Sequence, residues 1–283
     1  MTHTLQLLQL LNLLTLTLLG ARVGHLYLSL GQIGLLLLGS GLLTYTLQRT
    51  YHFATLTTTL GVVLMMVTPH FWIYGVVIAL ALLQKQLLHY HGRHLFNPSN
   101  FALIMALLLF YHDAHIVLGQ LGDNRYFAWG VIGSGVVVLW RAKRWIIPLA
   151  FLLSYLGSQY WGIVAHDPLL LFESVSDRFY SVSFLLFMLF MLTDPRTTPT
   201  HPYTQALFGV AIALGATLLD YHYGFRVQHL FVVLFALTPL TRLLTSLPTS
   251  WQEWVWMGGV LLLVASAIIY LQNHPPYYFE MDG

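Results

Sequence analysis

The chain alternates between long apolar runs and short polar breaks, and this pattern constrains its fold more than any other feature. Eleven runs can be distinguished, at about residues 4–20, 28–47, 54–67, 71–89, 99–119, 127–140, 145–160, 179–193, 205–219, 229–244 and 254–271. A helix that crosses a bilayer needs roughly 20 apolar residues, and fewer when neighbouring helices shield it. The pattern therefore predicts an all-α fold, a polytopic membrane helical bundle with ten or eleven transmembrane helices.

Composition supports the same interpretation. Only 8% of the 283 residues are charged, whereas soluble domains carry about 25%, so the chain could not cover a surface that faces water. We predict a single integral membrane domain over residues 1–283. The first run is interpreted as a retained helix, or one that lies along the interface, because it lacks the features of a signal peptide. The short run at 54–67 suggests a helix that is broken or buried within the protein.

Several classes of function are not supported by the sequence. The chain has no cysteine, which excludes disulfides and thiolate ligation of iron–sulfur clusters. Its net charge of +2 is too small and too dispersed to indicate a nucleic-acid partner. His112 and His115 have a spacing that could ligate a metal from one helix, but only Asp113 lies near them. No metal site is therefore expected.

The basic residues indicate an orientation. The densest cluster is Arg141, Lys143 and Arg144, and basic residues concentrate on the cytoplasmic side of bacterial membranes. Counting runs from this loop places further basic residues on the same side, namely Arg49, Lys85, Arg93, Arg196 and Arg242. We therefore expect a multi-pass protein of the bacterial inner membrane with a cytoplasmic N-terminus.

Two polar phrases interrupt the apolar pattern most clearly. One is His-Gly-Arg-His-Leu-Phe-Asn-Pro-Ser-Asn at residues 91–100, and the other is Thr-Asp-Pro-Arg-Thr-Thr-Pro at residues 193–199. Both fall on the predicted cytoplasmic side, so we expect them to converge on one pocket. Asn97 and Asp194 each suit a helix cap, while a helix start at membrane depth also suits an anion or an electron-rich ring. For either phrase alone the cap is the simpler interpretation.

Threonines form a further polar group within the short run at 54–67. They are Thr55, Thr57, Thr58 and Thr59. Hydroxyl groups in membrane helices usually bond back to their own backbone, and contact with a ligand is the alternative.

Four segments together resemble the NqrB/RnfD family, the membrane subunits of sodium-pumping quinone reductase and of the Rnf electron transport complex. The segments are Ala54-Thr-Leu-Thr-Thr-Thr-Leu-Gly61, then Lys85 followed by His91-Gly-Arg-His-Leu-Phe-Asn97-Pro98, then Gly130-Val-Ile-Gly133, and finally Asp194-Pro195-Arg-Thr-Thr198-Pro199. The resemblance covers about residues 50–245, which leaves an extra C-terminal helix at about 254–271. It implies a ten-helix bundle with flavin cofactors, and electron transfer coupled to ion movement within a larger complex.

One departure from the family pattern concerns the cofactor. Members carry FMN esterified to a threonine in the loop that corresponds to residues 111–129, and this chain has no threonine from residue 69 to residue 192. A covalent FMN-threonine bond is therefore not expected. In this respect the chain is closer to the short RnfD-like branch of UnbU type, which lacks that threonine.

The resemblance leads to a specific expectation. The chain is expected to be an electron-transport subunit that binds a flavin (FMN or riboflavin) non-covalently and works with redox or membrane protein partners in the lipid bilayer. The candidate cofactor-binding residues are Thr57, Thr58, Arg93, Asn97, Asp194, Arg196 and Thr198. No catalytic residue is assigned, and an enzymatic activity as an oxidoreductase subunit stays open. The alternatives are a channel or transporter for a small solute or ion, and a non-enzymatic assembly subunit.

Overall fold

A computed structural model describes residues 3–23, 26–117, 120–121, 125–166, 181–224, 226–245 and 247–273. Within these ranges the helices are α1 His3–Val23, α2 Leu30–Gln48, α3 Phe53–Met65, α4 Phe71–Leu87, α5 Pro98–Leu109, α6 Arg125–Ala142, α7 Ile146–His166, α8 Val182–Leu186, α9 Pro202–Tyr223, α10 Gln228–Thr245 and α11 Trp251–Asn273. A π-helical turn, Phe187–Met191, continues α8 directly. Each helix overlaps one of the apolar runs, so the predicted helical bundle is confirmed.

The lengths of the helices fall into two classes. By length and composition, α1, α2, α9 and α11 could each cross a membrane alone. Six other apolar segments are shorter, among them α3, α5 and the combined α8 and π turn. Large apolar side chains such as Leu38 and Leu262 point outward and are 73% and 71% exposed, as expected for a surface that contacts lipid rather than water. The fold is a polytopic membrane bundle.

The short helices α3 and α5 end in a small strand pair. Met66–Val67 (β1) pairs antiparallel with His115–Ile116 (β4), and Met66 lies opposite Ile116. The pairing satisfies backbone groups where both helices stop, because unpaired backbone is costly at membrane depth. The run predicted at 99–119 is therefore not one helix: α5 ends at Leu109, and the chain turns before β4. Of the two predictions for the run at 54–67, the structure shows the buried helix, because α3 is continuous over Phe53–Met65 and its residues from Thr58 to Met65 are buried.

A β-hairpin with a two-residue turn connects α4 to α5. His89–Tyr90 (β2) pairs antiparallel with Arg93–His94 (β3). The turn residues His91 and Gly92 have φ values of 48° and 73°, and positive φ at both positions matches the twist of a tight hairpin. Because successive strand residues point to opposite faces, His94 is buried while Arg93 is exposed. The sequence analysis treated this segment as a single polar break and did not predict the hairpin.

Aromatic packing fixes the helices around the centre of the bundle. The rings of Phe96 and Phe235 are stacked with centroids 4.5 Å apart, and those of Phe187 and Phe231 are 4.9 Å apart. These contacts join α10 both to the segment before α5 and to the π turn. Since lipid tails are as apolar as the side chains, close packing of this kind stabilises a membrane bundle. This packing holds the start of α5 and the π turn at one end of the molecule.

Candidate functional site

The two polar phrases meet at one end of the bundle. Nδ2 of Asn97 donates a hydrogen bond to Oδ2 of Asp194 over 3.3 Å. The other amide atom of Asn97, Oδ1, accepts from the backbone N–H of Asn100 at 3.1 Å and caps α5, with Pro98 in the first turn. The predicted convergence is confirmed, and Asn97 serves as a cap and as a contact between the phrases at once.

Asp194 organises the turn that follows the π helix. Its Oδ1 accepts from the backbone N–H of Arg196 at 3.0 Å, and its carbonyl oxygen accepts from the N–H groups of Thr197 and Thr198, both at 3.1 Å. The hydroxyl of Thr198 donates to the same carbonyl at 2.7 Å. The side chain of Thr198 is fully buried, so its hydroxyl proton is used within the turn.

The carboxylate of Asp194 lies among cationic groups. Its side chain is only 15% exposed, and Nε2 of His94 lies 3.7 Å from Oδ2. Burial by itself raises the pKa of the Asp194 carboxyl, but the imidazole of His94, together with the N–H and charge of Arg196, outweighs that effect. The pKa of Asp194 therefore lies below its ordinary value, and the group is ionised at neutral pH. Nε2 of His94 is buried and has no hydrogen-bond partner.

The threonines of α3 bond back to their own helix. The hydroxyls of Thr57 and Thr58 donate to the carbonyl of Ala54 at 3.0 and 2.7 Å. Nζ of Lys85 donates to Oγ1 of Thr58 at 2.9 Å and to the carbonyl of Ala54 at 3.1 Å. The hydroxyl protons of Thr57 and Thr58 are therefore used in bonds to their own helix backbone, which is the simpler of the two interpretations from the sequence. Lys85, in addition, fastens the start of α3 to the end of α4.

These groups form one wall of a cavity of about 90 Å³. The lining also includes apolar side chains, among them Val138, Leu189 and Phe190. A neighbouring cavity of about 480 Å³ shares Lys85 and Arg196 with the first, and its size falls in the range of about 300–1,000 Å³ that is typical of ligand sites. A lining that combines polar and apolar side chains suits a flat ring with polar edges.

The structure brings most of the candidate residues together. Thr57, Thr58, Asn97, Asp194 and Arg196 line the first cavity. Arg93 is exposed and lines the second cavity and also a third of about 350 Å³, where Thr198 is found as well.

Six polar residues that line the first cavity are not among the candidates from the sequence, namely Gln6, Gln9, Lys85, His94, Ser99 and Thr193. The spacing of the two glutamines, three residues apart on the first apolar run, places them on one helix face and could have indicated a polar lining. His112 lies in a turn and His115 in a strand, so they do not share a helix face. Across the part of the chain that the structure describes, no three metal-binding side chains come together.

The comparison with known families agrees with the resemblance seen in the sequence. A model of the NQR2, RnfD, RnfE family matches residues 107–246, about half of the chain, including the phrase around Asp194. No curated protein matches the chain. Members of this family work within multi-subunit membrane complexes, and the match supports a membrane subunit of a redox or ion-translocating complex. The chain belongs to the NQR2, RnfD, RnfE family.

Proposed function

We propose that the chain is an electron-transport subunit that binds a flavin, FMN or riboflavin, non-covalently in the two neighbouring cavities that share Lys85 and Arg196, beside Asn97 and Asp194. The hydrogen bond between these two residues carries the proposal, because it joins both polar phrases of the family resemblance in one cavity wall. The proposed mode is non-covalent because no threonine lies between residues 69 and 192, the interval that contains the loop where members carry their FMN ester.

The residues around the cavity fit such a ring. His94 has a buried ring nitrogen without a hydrogen-bond partner, and a polar ring edge would supply that partner. Lys85 and Arg196 contribute positive charge to the cavity wall, which favours a ligand that becomes more negative on reduction. The apolar side, with Val138 and Phe190, packs against a ring face and excludes water. A bound flavin would supply the capacity to accept and release electrons.

The test is direct. The protein is purified in a mild detergent, its absorption spectrum is recorded, and the flavin released by denaturation is measured by fluorescence. We expect flavin in the wild type and in Ser99→Ala, and a strong loss in Asn97→Ala, with thermal unfolding recorded for all three. Ser99 is the matched control because it lies in the same helix turn and lines the same cavity. A colourless wild-type preparation without extractable flavin would rule out the proposal.

A second candidate, a channel or transporter for a small solute or ion, is favoured by the interrupted helices. The helices α3 and α5 contain only 13 and 12 residues and end in paired strands, and interrupted helices line the solute sites of many transporters. Liposome swelling with small neutral solutes separates the two candidates. Rates no faster than those of empty liposomes would remove the channel for such solutes, and a chain with neither flavin nor transport would be an assembly subunit.

The orientation can be tested because the chain has no cysteine. We infer that the cavity end faces the cytoplasm, since Lys85, Arg93 and Arg196 lie around it and basic residues accumulate on that side. Thr200→Cys places a single thiol at the cavity end, and Tyr126→Cys places one at the opposite end of α6. An impermeant thiol reagent added to intact cells should label only the second variant. Labelling of Thr200→Cys alone would show that the orientation is the reverse, with the cavity end outside the cytoplasm.

A further inference from the structure

The end of the bundle that holds the cavities has more cations than anions in its interior. The charges of Arg93, Arg144 and Asp194 act on Arg242, and those of Arg93 and Asp194 also act on Arg144. Lys85 and Arg196 lie near the same carboxylate. Asp194 is therefore shared by four basic side chains, Lys85, Arg144, Arg196 and Arg242. It is already engaged with Asn97, His94 and the backbone of Arg196.

Another carboxylate in this neighbourhood does not balance the charge. Glu253 lies in the first turn of α11, close enough for His91 to act on it. Its Oε2 accepts from the backbone N–H and the hydroxyl of Thr249, at 2.7 and 3.3 Å. Its carboxylate therefore bonds to groups at the start of its own helix, apart from the cluster of Arg93, Arg144 and Arg242.

Two of the arginines are buried. Arg144 and Arg242 are each only 8% exposed. Nε of Arg144 is buried without a hydrogen-bond partner, and burial, followed by the charge of Arg93, lowers the pKa of Arg144. Burying like charges close together is costly unless an anion compensates them. An anion bound beside these arginines would therefore be stabilised by their charge.

The third cavity offers a place for that charge. It encloses about 350 Å³, and its lining includes Arg93 and Arg242 together with Tyr90, His91, Thr198 and Thr200. Among the residues that the structure describes, no carboxylate lines it. Guanidinium groups bind oxyanions through paired, charge-assisted hydrogen bonds, so this lining matches a phosphate group.

The surrounding backbone is fixed rather than loose. Nε2 of Gln205 lies 3.0 Å from the carbonyl of Thr200 and 3.5 Å from that of Lys143. This buried side chain ties the loop before Arg144 to the loop that carries Thr198 and Thr200. The position of Arg144 relative to the loop of Thr198 and Thr200 is therefore set by the fold.

We propose that the third cavity is an oxyanion site that binds a phosphate group between Arg93 and Arg242, with Arg144 adding positive charge beside them. The phosphate can belong to an anionic phospholipid of the adjoining leaflet or to a soluble phosphate, and the chemistry of recognition is the same. This site does not depend on flavin binding in the first cavity.

The first arm of the test uses inorganic phosphate. Delipidated protein in a non-ionic detergent is titrated with phosphate, and with chloride at matched ionic strength, while thermal unfolding is followed. We expect phosphate to raise the unfolding temperature of the wild type and of Arg141→Gln, and to bind about tenfold more weakly or worse in Arg93→Gln and Arg242→Gln. Arg141 is the control because it is an exposed arginine close to Arg144. Arg93 is exposed too, so its replacement leaves the packing intact.

The second arm uses lipid. Short-chain phosphatidylglycerol and phosphatidylcholine are compared by native mass spectrometry for the same variants. Retention of phosphatidylglycerol that depends on Arg93 and Arg242, without a response to phosphate, assigns the site to a lipid headgroup; a response to phosphate assigns it to a soluble ligand. The proposal is overturned if neither ligand binds the wild type, or if both bind Arg93→Gln as tightly as the wild type.

Discussion

The side-chain amide of Asn97 bonds with one end to its own helix and with the other to Asp194. Oδ1 lies 3.1 Å from the backbone nitrogen of Asn100, and Nδ2 lies 3.3 Å from Oδ2 of Asp194. A single side chain therefore fixes the start of α5 relative to the turn after the π helix. The shape of this part of the cavity wall therefore depends on Asn97, and the first prediction concerns this residue.

Replacing Asn97 should separate its two roles. Asn97→Ala removes both bonds and should lower the free energy of unfolding by about 1–2 kcal/mol. Asn97→Asp keeps the cap but places a carboxylate against Asp194, and like charges at this distance disfavour ionisation of both groups. We expect Asn97→Asp to be less stable than Asn97→Ala at pH 7 and to recover at lower pH, as measured by denaturation in detergent. Equal stability of Asn97→Asp and the wild type at pH 7 would show that the contact is unimportant.

Lys85 should contribute to stability through α3. Lys85→Met leaves the carbonyl of Ala54 and the hydroxyl of Thr58 without their charged donor. The free energy of unfolding should therefore fall by about 1–3 kcal/mol. Lys143→Met is the matched control, because Lys143 is an exposed lysine at the same end of the bundle. Thermal unfolding of both variants measures the difference. Similar unfolding temperatures for the two would mean that the bonds of Lys85 add nothing.

Asp194 should make stability depend on pH in the acid range. Burial raises the pKa of its carboxyl, but His94 and Arg196 outweigh this and hold the pKa below that of the unfolded chain. The ionised group therefore contributes stability above about pH 4, and this contribution is lost as the pH falls through the lowered pKa. Asp194→Asn should have a lower free energy of unfolding than the wild type at pH 7, and the difference should narrow as the pH falls below about 4. A difference that stays constant over that range would contradict the assignment.

Close approach of α3 and α5 depends on Gly61. A Cβ added at this position would lie 2.8 Å from Oγ of Ser99 and 3.3 Å from its Cβ. Gly61→Ala should destabilise the protein by about 1–3 kcal/mol through overpacking, and Ser99→Ala should relieve part of that loss. A double-mutant cycle measures the coupling, which should be at least about 0.5 kcal/mol. Gly75→Ala is the control, because no atom lies within 4 Å of a Cβ there; a loss as large as that at Gly61 would disprove the packing argument.

The periodic part of the fold could be predicted from the sequence. Apolar runs are local signals, so each helix was located by its own composition, and proline at residue 98 marked the start of α5. The end of α5 was missed, because residues 110–119 stay largely apolar while the chain leaves the helix to pair with β1. That pairing depends on contact with a distant strand, which a local pattern does not contain.

The site could be predicted only in part, for a similar reason. Asn97 and Asp194 stood out because polar groups beside proline interrupt apolar sequence. The inward direction of His94 depends on the hairpin, whose two-residue strands are too short to leave a period in the sequence. Lys85 belongs to one of the segments that carry the family resemblance, but its bonds to α3 follow from the distance to that helix rather than from its neighbours in the chain.

The π turn at Phe187–Met191 affects how the chain that follows it is positioned around the helix axis. The N–H of Leu192 reaches back five positions to the carbonyl of Phe187, at 2.9 Å, so this turn holds one residue beyond the α-helical count. Deleting one residue there would restore 3.6 residues per turn, while the segments on either side keep about the same angular position around the helix axis. The same deletion in the regular part of the helix would rotate the Asp194 carboxylate by about 100°. The π turn is therefore the place where this helix can change its length by one residue without separating the two helix ends.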